Sequence, residues 1–228
     1  SAIITIIVLI VIVGNVVING IGHLSLEFLT QEPAEMGKEG GIFSIIITTI
    51  YLSLFSLVIA APIGICAAIF LTEYAKEGPV IKLIRFGTES LAGIPSIIFG
   101  LFGYAFFVVF LKFRYSILSG GLTLTLMILP TIIRTAEEAI IMVPRSYREG
   151  SLALGATKWQ TIYKVVLPAA IPGILTGVIL GIGRVAGETA AVIYTAGSSL
   201  GLPNSVWRPG RTMAVHLYIL ASEGLSKN

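Results

Sequence analysis

Five long apolar segments dominate this sequence and leave few folds open to it. They cover residues 2–18, 42–71, 94–111, 117–133 and 165–197. A helix rises about 1.5 Å per residue, so about 20 apolar residues cross the hydrocarbon core of a bilayer. Inside the bilayer the backbone must satisfy its own hydrogen bonds, which a helix does within one segment. We therefore expect an all-α membrane protein with several spanning helices.

Charged residues are too few for a soluble protein of this length. Of the 228 residues, 55% are hydrophobic and only 12% are charged, and the net charge is +3. The positive residues lie in short connections and do not form the basic cluster that nucleic-acid binding requires. Cys66 is the single cysteine, so no intrachain disulfide is possible, and neither histidine has metal-ligand spacing around it. We expect one membrane domain over residues 1–228, with no metal, no cofactor and no nucleic-acid partner.

The positive residues of the connections predict the orientation of the chain. Connections 72–93 and 134–164 together hold eight Lys and Arg residues, whereas the other connections hold five. Lys and Arg in short loops are retained on the cytoplasmic side of a membrane. We therefore predict that these two connections and the amino terminus are cytoplasmic. Within the first connection, residues 78–92 show a pattern that is compatible with a short helix at the membrane interface.

The longest connection, residues 134–164, carries apolar side chains where a loop should face water. Leu152, Leu154 and Ala156 lie among charged residues, and exposed apolar groups in such a place indicate a protein partner. Pro144 is suited to start a short helix and Gly155 to end it. We interpret this segment as a docking element for another subunit.

The same connection resembles a motif of the binding-protein-dependent ABC permeases, which reads E-A-A, three residues, G, nine residues, I, one residue, L-P. The matching positions are Glu149, Gly150, Ser151, Gly155, Val165, Leu167 and Pro168. The spacing is kept, while the two alanines and the isoleucine are replaced by small or similar residues. The resemblance implies that residues 134–164 form a cytoplasmic loop that docks on an ATPase subunit, through Glu149, Gly150, Ser151, Leu152, Leu154, Gly155 and Ala156.

Three further stretches resemble the phosphate-specific, PstA-type branch of this family: GIPSIIFGLFG at 93–103, LPTIIRTAEEAI at 129–140 and GRVAGETAAVIYTAG at 183–197. The resemblance implies a polytopic helix bundle of the type I ABC importer permease kind in the bacterial inner membrane, with five spans in this chain and a sixth missing. It implies three kinds of partner, namely ATP-binding subunits, a second homologous permease and an external phosphate-binding protein. The implied function is half of the translocation path of an ATP-driven phosphate importer.

Arg184 and Glu188 interrupt the fifth apolar segment. An ionisable residue near the centre of a spanning helix costs about 2.5 to 3.5 kcal/mol on insertion scales, and such residues usually serve a function. Four residues apart, the two would share one helix face. We predict that Arg184 lines the substrate path with Glu188 as its resting counter-ion; a structural salt bridge is the alternative. A straight helix from Pro168 would place Arg184 roughly 24 Å along, in the outer half of the membrane.

The chain is not expected to hydrolyse ATP, because it lacks the G-x-x-x-x-G-K-[ST] phosphate-binding loop. The energy for transport would come from a separate subunit. A membrane enzyme would need a nucleophile, base or metal set that the sequence does not offer, and a passive channel would have no use for a docking element. Two alternatives stay open within the transporter class: a permease for another oxyanion, such as sulfate or molybdate, and the second permease of the phosphate importer.

Overall fold

Helices make up most of the chain, and a computed structural model describes them over residues 2–223, apart from the side chains of Ala2 and Met36. In chain order they are α1 (Ala2–Ile21), α2 (Leu26–Thr30), α3 (Phe43–Ile69), α4 (Pro79–Ala92), α5 (Ser96–Gly103), α6 (Ile117–Met142), α7 (Arg145–Ala153), α8 (Lys158–Thr161), α9 (Leu167–Ala186), α10 (Ala190–Thr195) and α11 (Met213–Ser222). Three π-helical turns continue α3, α5 and α8, over Phe70–Tyr74, Tyr104–Phe110 and Ile162–Val166. After α2, the strands β1 (Pro33–Ala34) and β2 (Glu39–Gly40) pair as a short antiparallel hairpin.

Within residues 2–223, four helical segments are long and apolar enough to cross a membrane: Ile3–Ile21, Phe43–Tyr74, Ile117–Met142 and Lys158–Ala186. A fifth is present if α4 and α5 with its π turn count as one span, bent by 100°. The predicted all-α polytopic bundle is thereby confirmed. The short helix expected over residues 78–92 is present as α4, which forms the first arm of the bent pair.

Two predicted boundaries are wrong, and both differences affect the functional residues. The fourth segment was expected to end at residue 133, but α6 continues to Met142. It stops there because Val143 precedes a proline, which disfavours helical backbone at that position. The fifth segment was expected to run unbroken over residues 165–197, but α9 ends at Ala186 and three residues separate it from α10.

The bundle is built around α6, which packs against both α3 and α9, and these two helices also contact each other. Small residues allow these close approaches. A Cβ atom on Gly64 of α3 would lie 2.7 Å from Cγ2 of Ile132, and a Cβ on Gly173 of α9 would lie 2.6 Å from Cβ of Ala139. Packing of this kind holds membrane helices together where water supplies no driving force. The largest fully buried side chains at the centre include Leu52, Leu124, Met127, Ile128 and Ile132.

The two ends of the bundle differ in structure. One end, here called the hairpin end, carries α2, the β hairpin and the connection 198–212. This connection closes over the helix ends, since Arg208 O accepts from Ile117 N at 2.9 Å and Met213 N donates to Thr49 Oγ1 at 2.9 Å. The opposite end, here called the α7 end, carries α4, α7 and α8. Helix α1 does not contribute to the core, because none of its candidate span is buried.

Candidate functional site

Arg184 lies in the last turn of α9, level with the middle of α6. Its Nη1 donates to Thr131 Oγ1 at 3.4 Å, and Thr131 stands near the midpoint of α6. The two helices run antiparallel, since Gly173 faces Ala139 while the later residue Gly177 faces Thr135. The Arg184 guanidinium is therefore at the level of the middle of α6, the helix with the most neighbours in the bundle.

The guanidinium of Arg184 has no carboxylate partner among residues 2–223. The ion pairs formed there join other residues. Its one hydrogen bond is long and goes to a hydroxyl, so most of its donors are free for a ligand. A guanidinium offers a planar fork that matches the oxygens of a phosphate or carboxylate. Chemically, the site can bind an anion.

Glu188 does not form the predicted pair with Arg184, so the expectation of a shared helix face is wrong. Helix α9 ends at Ala186, and Glu188 lies in the break before α10. Its side chain is buried, and Oε1 accepts from Ala191 N at 3.2 Å. A carboxylate in this position satisfies a backbone donor of the first turn of α10 and is favoured by the helix dipole. Glu188 therefore positions the broken helix.

The face of α9 next to Arg184 is open. No heavy atom lies within 4 Å of the place where a Cβ on Gly183 would stand, and Ile182 is exposed. By contrast, Gly173 and Gly177 lie against α6. Of the four glycines of α9, Gly173, Gly177 and Gly181 face α6, and Gly183 leaves space beside the guanidinium.

Arg211 was counted among the residues of an outer connection, but the structure buries it at the hairpin end. Its Nε donates to Ser198 O at 2.8 Å, and Nη1 lies 3.4 Å from Nδ1 of His216. Burial lowers the pKa of the Arg211 guanidinium. The sequence analysis did not identify these contacts.

The residues predicted to dock an ATPase lie together at the α7 end, well away from Arg184. We call residues 145–158 the docking segment. Pro144 stands immediately before α7, and Gly155, with φ at +83°, turns the chain after it. A positive φ is easily adopted only by glycine. Thr157 and Gln160 then form a capping box that starts α8.

The docking segment presents apolar side chains to its surroundings. Leu154 is 91% exposed, and Leu152 is 50% exposed. Glu149, Gly150 and Gly155 are exposed, whereas Ser151 and Ala156 are half-buried. Ser151 is held by a hydrogen bond between its Oγ and Thr161 Oγ1 at 2.9 Å. The predicted docking residues therefore form one surface with a largely exposed leucine at its tip.

Two aromatic residues at this end were missed by the sequence analysis. Trp159 and Tyr163 stack with ring centroids 6.2 Å apart, and both are more than half exposed. They are four residues apart, which places them on one helix face. This spacing is visible in the sequence and could have identified the pair. Exposed aromatic rings are frequent at protein interfaces and at membrane surfaces.

Charged side chains fasten the α7 end internally. Arg85 of α4 pairs with Glu137 of α6 at 2.7 Å and with Glu77 at 2.8 Å. Arg148 of α7 pairs with Glu73, in the π turn that continues α3, at 2.8 Å. The sequence analysis counted these arginines for orientation and did not identify their partners.

Comparison with known proteins places this architecture in a family. Residues 60–221 match the model of the family described as binding-protein-dependent transport system inner membrane component. A solved structure of the MetNI methionine ABC transporter in inward-facing conformations matches with a TM-score of 0.54 at 21% identity, over 80% of this chain and 87% of that one. At that identity the likeness shows the fold alone.

Sequence relatives extend over most of the chain. The probable ABC transporter permease protein YqgI of Bacillus subtilis is 36% identical over 231 residues, covering 96% of this chain and 79% of the relative. YqgH of the same organism, described in the same terms, is 38% identical over 86% of this chain and 65% of the relative. The phosphate transport system permease protein PstA of Yersinia pestis is 36% identical over 93% of this chain and 72% of the relative. The chain is a multi-pass membrane protein that belongs to the family of binding-protein-dependent transport system inner membrane components.

Proposed function

We propose that the chain is the permease subunit of an ATP-driven phosphate importer and forms half of its translocation path. The observation that carries the proposal is the guanidinium of Arg184, which is half-buried, lies level with the middle of α6 and has no carboxylate partner among residues 2–223. A charge in that place is costly unless it serves a ligand or a pathway. An arginine whose donors are free suits a tetrahedral oxyanion.

The choice of phosphate among the oxyanions comes from the relatives. Several of them are named phosphate transport system permease protein PstA, including those of Pasteurella multocida, Haemophilus influenzae and Yersinia pestis. Arg184 alone would suit sulfate or molybdate as well. The relatives' names therefore favour phosphate over the other oxyanions.

The docking segment supplies the proposed link to an ATPase. Leu154 at its exposed tip would be buried on the partner, and the exposed Glu149 of the same segment would pair with a basic residue there. Because ATP hydrolysis would occur in that partner, this chain would not be an enzyme. In this proposal the α7 end and the amino terminus are cytoplasmic, in agreement with the excess of Lys and Arg in connections 72–93 and 134–164.

Two further partners complete the proposed importer. A second, homologous permease would form the other half of the path beside the open face of α9. Bacillus subtilis possesses two probable ABC permeases, YqgI and YqgH, that both match this chain at similar identity. An external phosphate-binding protein would deliver the anion at the hairpin end.

The test is reconstitution of the chain in proteoliposomes with its cognate ATPase, second permease and binding protein, followed by uptake of radiolabelled phosphate. We expect ATP-dependent uptake that an excess of unlabelled phosphate abolishes and an excess of sulfate or molybdate leaves unchanged. The control is the same vesicle with the Gly155→Pro variant. Proline cannot adopt the positive φ of Gly155, so this variant should hydrolyse ATP without taking up phosphate. Transport of sulfate or molybdate in place of phosphate would overturn the substrate assignment.

A further inference from the structure

Glu73 is the point at which three segments of the α7 end meet. It lies in the π turn Phe70–Tyr74 that continues α3, and its side chain is only 11% exposed. Single π turns in otherwise regular helices occur frequently at functional sites. Both groups of Glu73 that can accept hydrogen bonds, the carboxylate and the backbone carbonyl, are used by residues of the docking segment.

Arg148 reaches Glu73 from α7. Its Nε and Nη2 donate to Glu73 Oε1 at 2.9 and 2.8 Å. The same guanidinium donates to the last carbonyls of α6, from Nη1 to Val143 O at 2.7 Å and from Nη2 to Ile140 O at 2.9 Å. A cation is favoured at this helix end, where carbonyl groups lack partners. Arg148 is therefore committed to internal contacts and is not available to an external partner.

Lys158 reaches the same turn from the other end of the docking segment. Its Nζ donates to the backbone carbonyl of Glu73 and lies 4.8 Å from the ring centroid of Tyr74. Helix α7 itself packs mainly on α8 and on the π turn that follows it. The polar contacts through Glu73 and Tyr74 thus join both ends of the docking segment to the end of α3.

Helix α3 continues from this junction to the opposite end of the bundle. Together with its π turn it is the longest candidate span, with 32 residues. At the hairpin end, Thr49 Oγ1 accepts from Met213 N at 2.9 Å, and a Cβ on Gly210 would lie 2.7 Å from Cγ2 of Thr48. A displacement of the docking segment that moved Glu73 would therefore act on a helix in contact with both ends of the protein.

We infer that Glu73 is a positioning residue for transport: it ties the docking segment to α3, so that movement driven by the ATPase reaches the spanning helices. The inference rests on the proposed function, because it needs the docking segment to receive that movement. It assigns Glu73 no contact with the anion. Arg148 then couples segments within the chain, and the exposed residues around Leu154 contact the ATPase.

The experiment compares Glu73→Gln with the unchanged protein in the fully reconstituted transporter. Glutamine keeps the size of the side chain and the backbone carbonyl and removes the charge that holds Arg148. We expect the affinity for the ATPase and the basal rate of ATP hydrolysis to stay unchanged. The amount of phosphate taken up per ATP hydrolysed should fall by about tenfold or more, because the substitution leaves the half-buried charge of Arg148 without its carboxylate partner. Unchanged uptake per ATP would overturn the inference.

The matched control is Glu77→Gln, four residues further along. Glu77 is 70% exposed in its side chain and pairs with Arg85, outside the docking segment, so its loss should leave uptake per ATP unchanged. An equal loss in both variants would show a general effect of charge and overturn the inference. If Glu73→Gln does not assemble, Arg148→Lys takes its place, because lysine cannot make the two-donor contact with Glu73, and the expected and refuting results are the same. Failure of the unchanged transporter to bind the ATPase or to transport would instead refute the proposed function.

Discussion

Leu154 offers the sharpest test of the docking surface, because its side chain is 91% exposed and supports nothing in the fold. Burying a leucine completely contributes about 1.5 to 3 kcal/mol, so Leu154→Ala should weaken binding of the ATPase by about 2 kcal/mol, or roughly 30-fold in dissociation constant. The measurement is titration of labelled ATPase onto the permease pair in lipid nanodiscs.

The matched control for Leu154→Ala is Leu26→Ala. Leu26 lies on α2 at the hairpin end and is 83% exposed, so the substitution removes the same atoms from a comparable environment. It should leave the affinity for the ATPase unchanged. The docking assignment would be refuted if Leu154→Ala bound the ATPase as tightly as the unchanged protein, or if both variants lost affinity equally.

Two further predictions concern packing and orientation. Gly177→Ala should lower the free energy of unfolding of the purified chain by about 1 to 3 kcal/mol, because the added Cβ would collide with Thr135 of α6. Gly183→Ala, which has open space around it, should be neutral or slightly stabilising. Equal melting temperatures for the two variants would contradict the packing of α9 on α6. The orientation can be tested in a chain whose Cys66 is replaced by serine. A membrane-impermeant thiol reagent added to intact cells should label Glu35→Cys and leave Gly150→Cys unlabelled. The reverse labelling would show that the proposed orientation is inverted.

The helical architecture was predictable because long apolar segments in a bilayer permit little besides helices. The short helix α7 was predictable for a local reason: Pro144 and Gly155 act on their immediate neighbours. The same local reasoning failed at the end of α6. There Arg134 and Glu138, read as loop residues, lie on the helix and pair with each other at 2.8 Å.

The relation between Arg184 and Glu188 could not be predicted, because it depends on where α9 stops. The spacing of four residues implies a common face only in an unbroken helix. The structure breaks the helix at Gly187 and uses Glu188 to satisfy a backbone donor of α10. Pairings such as Glu73 with Arg148 join residues 75 positions apart, and a single sequence carries no signal for contacts of that kind.

Phosphate uptake by reconstituted complexes that carry Arg184→Gln shows whether Arg184 meets the transported anion. Glutamine supplies neither the charge nor the fork, and loss of hydrogen bonds to a charged group costs about 1.5 to 3 kcal/mol, so uptake should fall at least about tenfold in a complex that still assembles. Arg114→Gln, at an exposed arginine of another connection, should transport normally. Normal uptake by Arg184→Gln, or its restoration in the double variant with Glu188→Gln, would contradict the account.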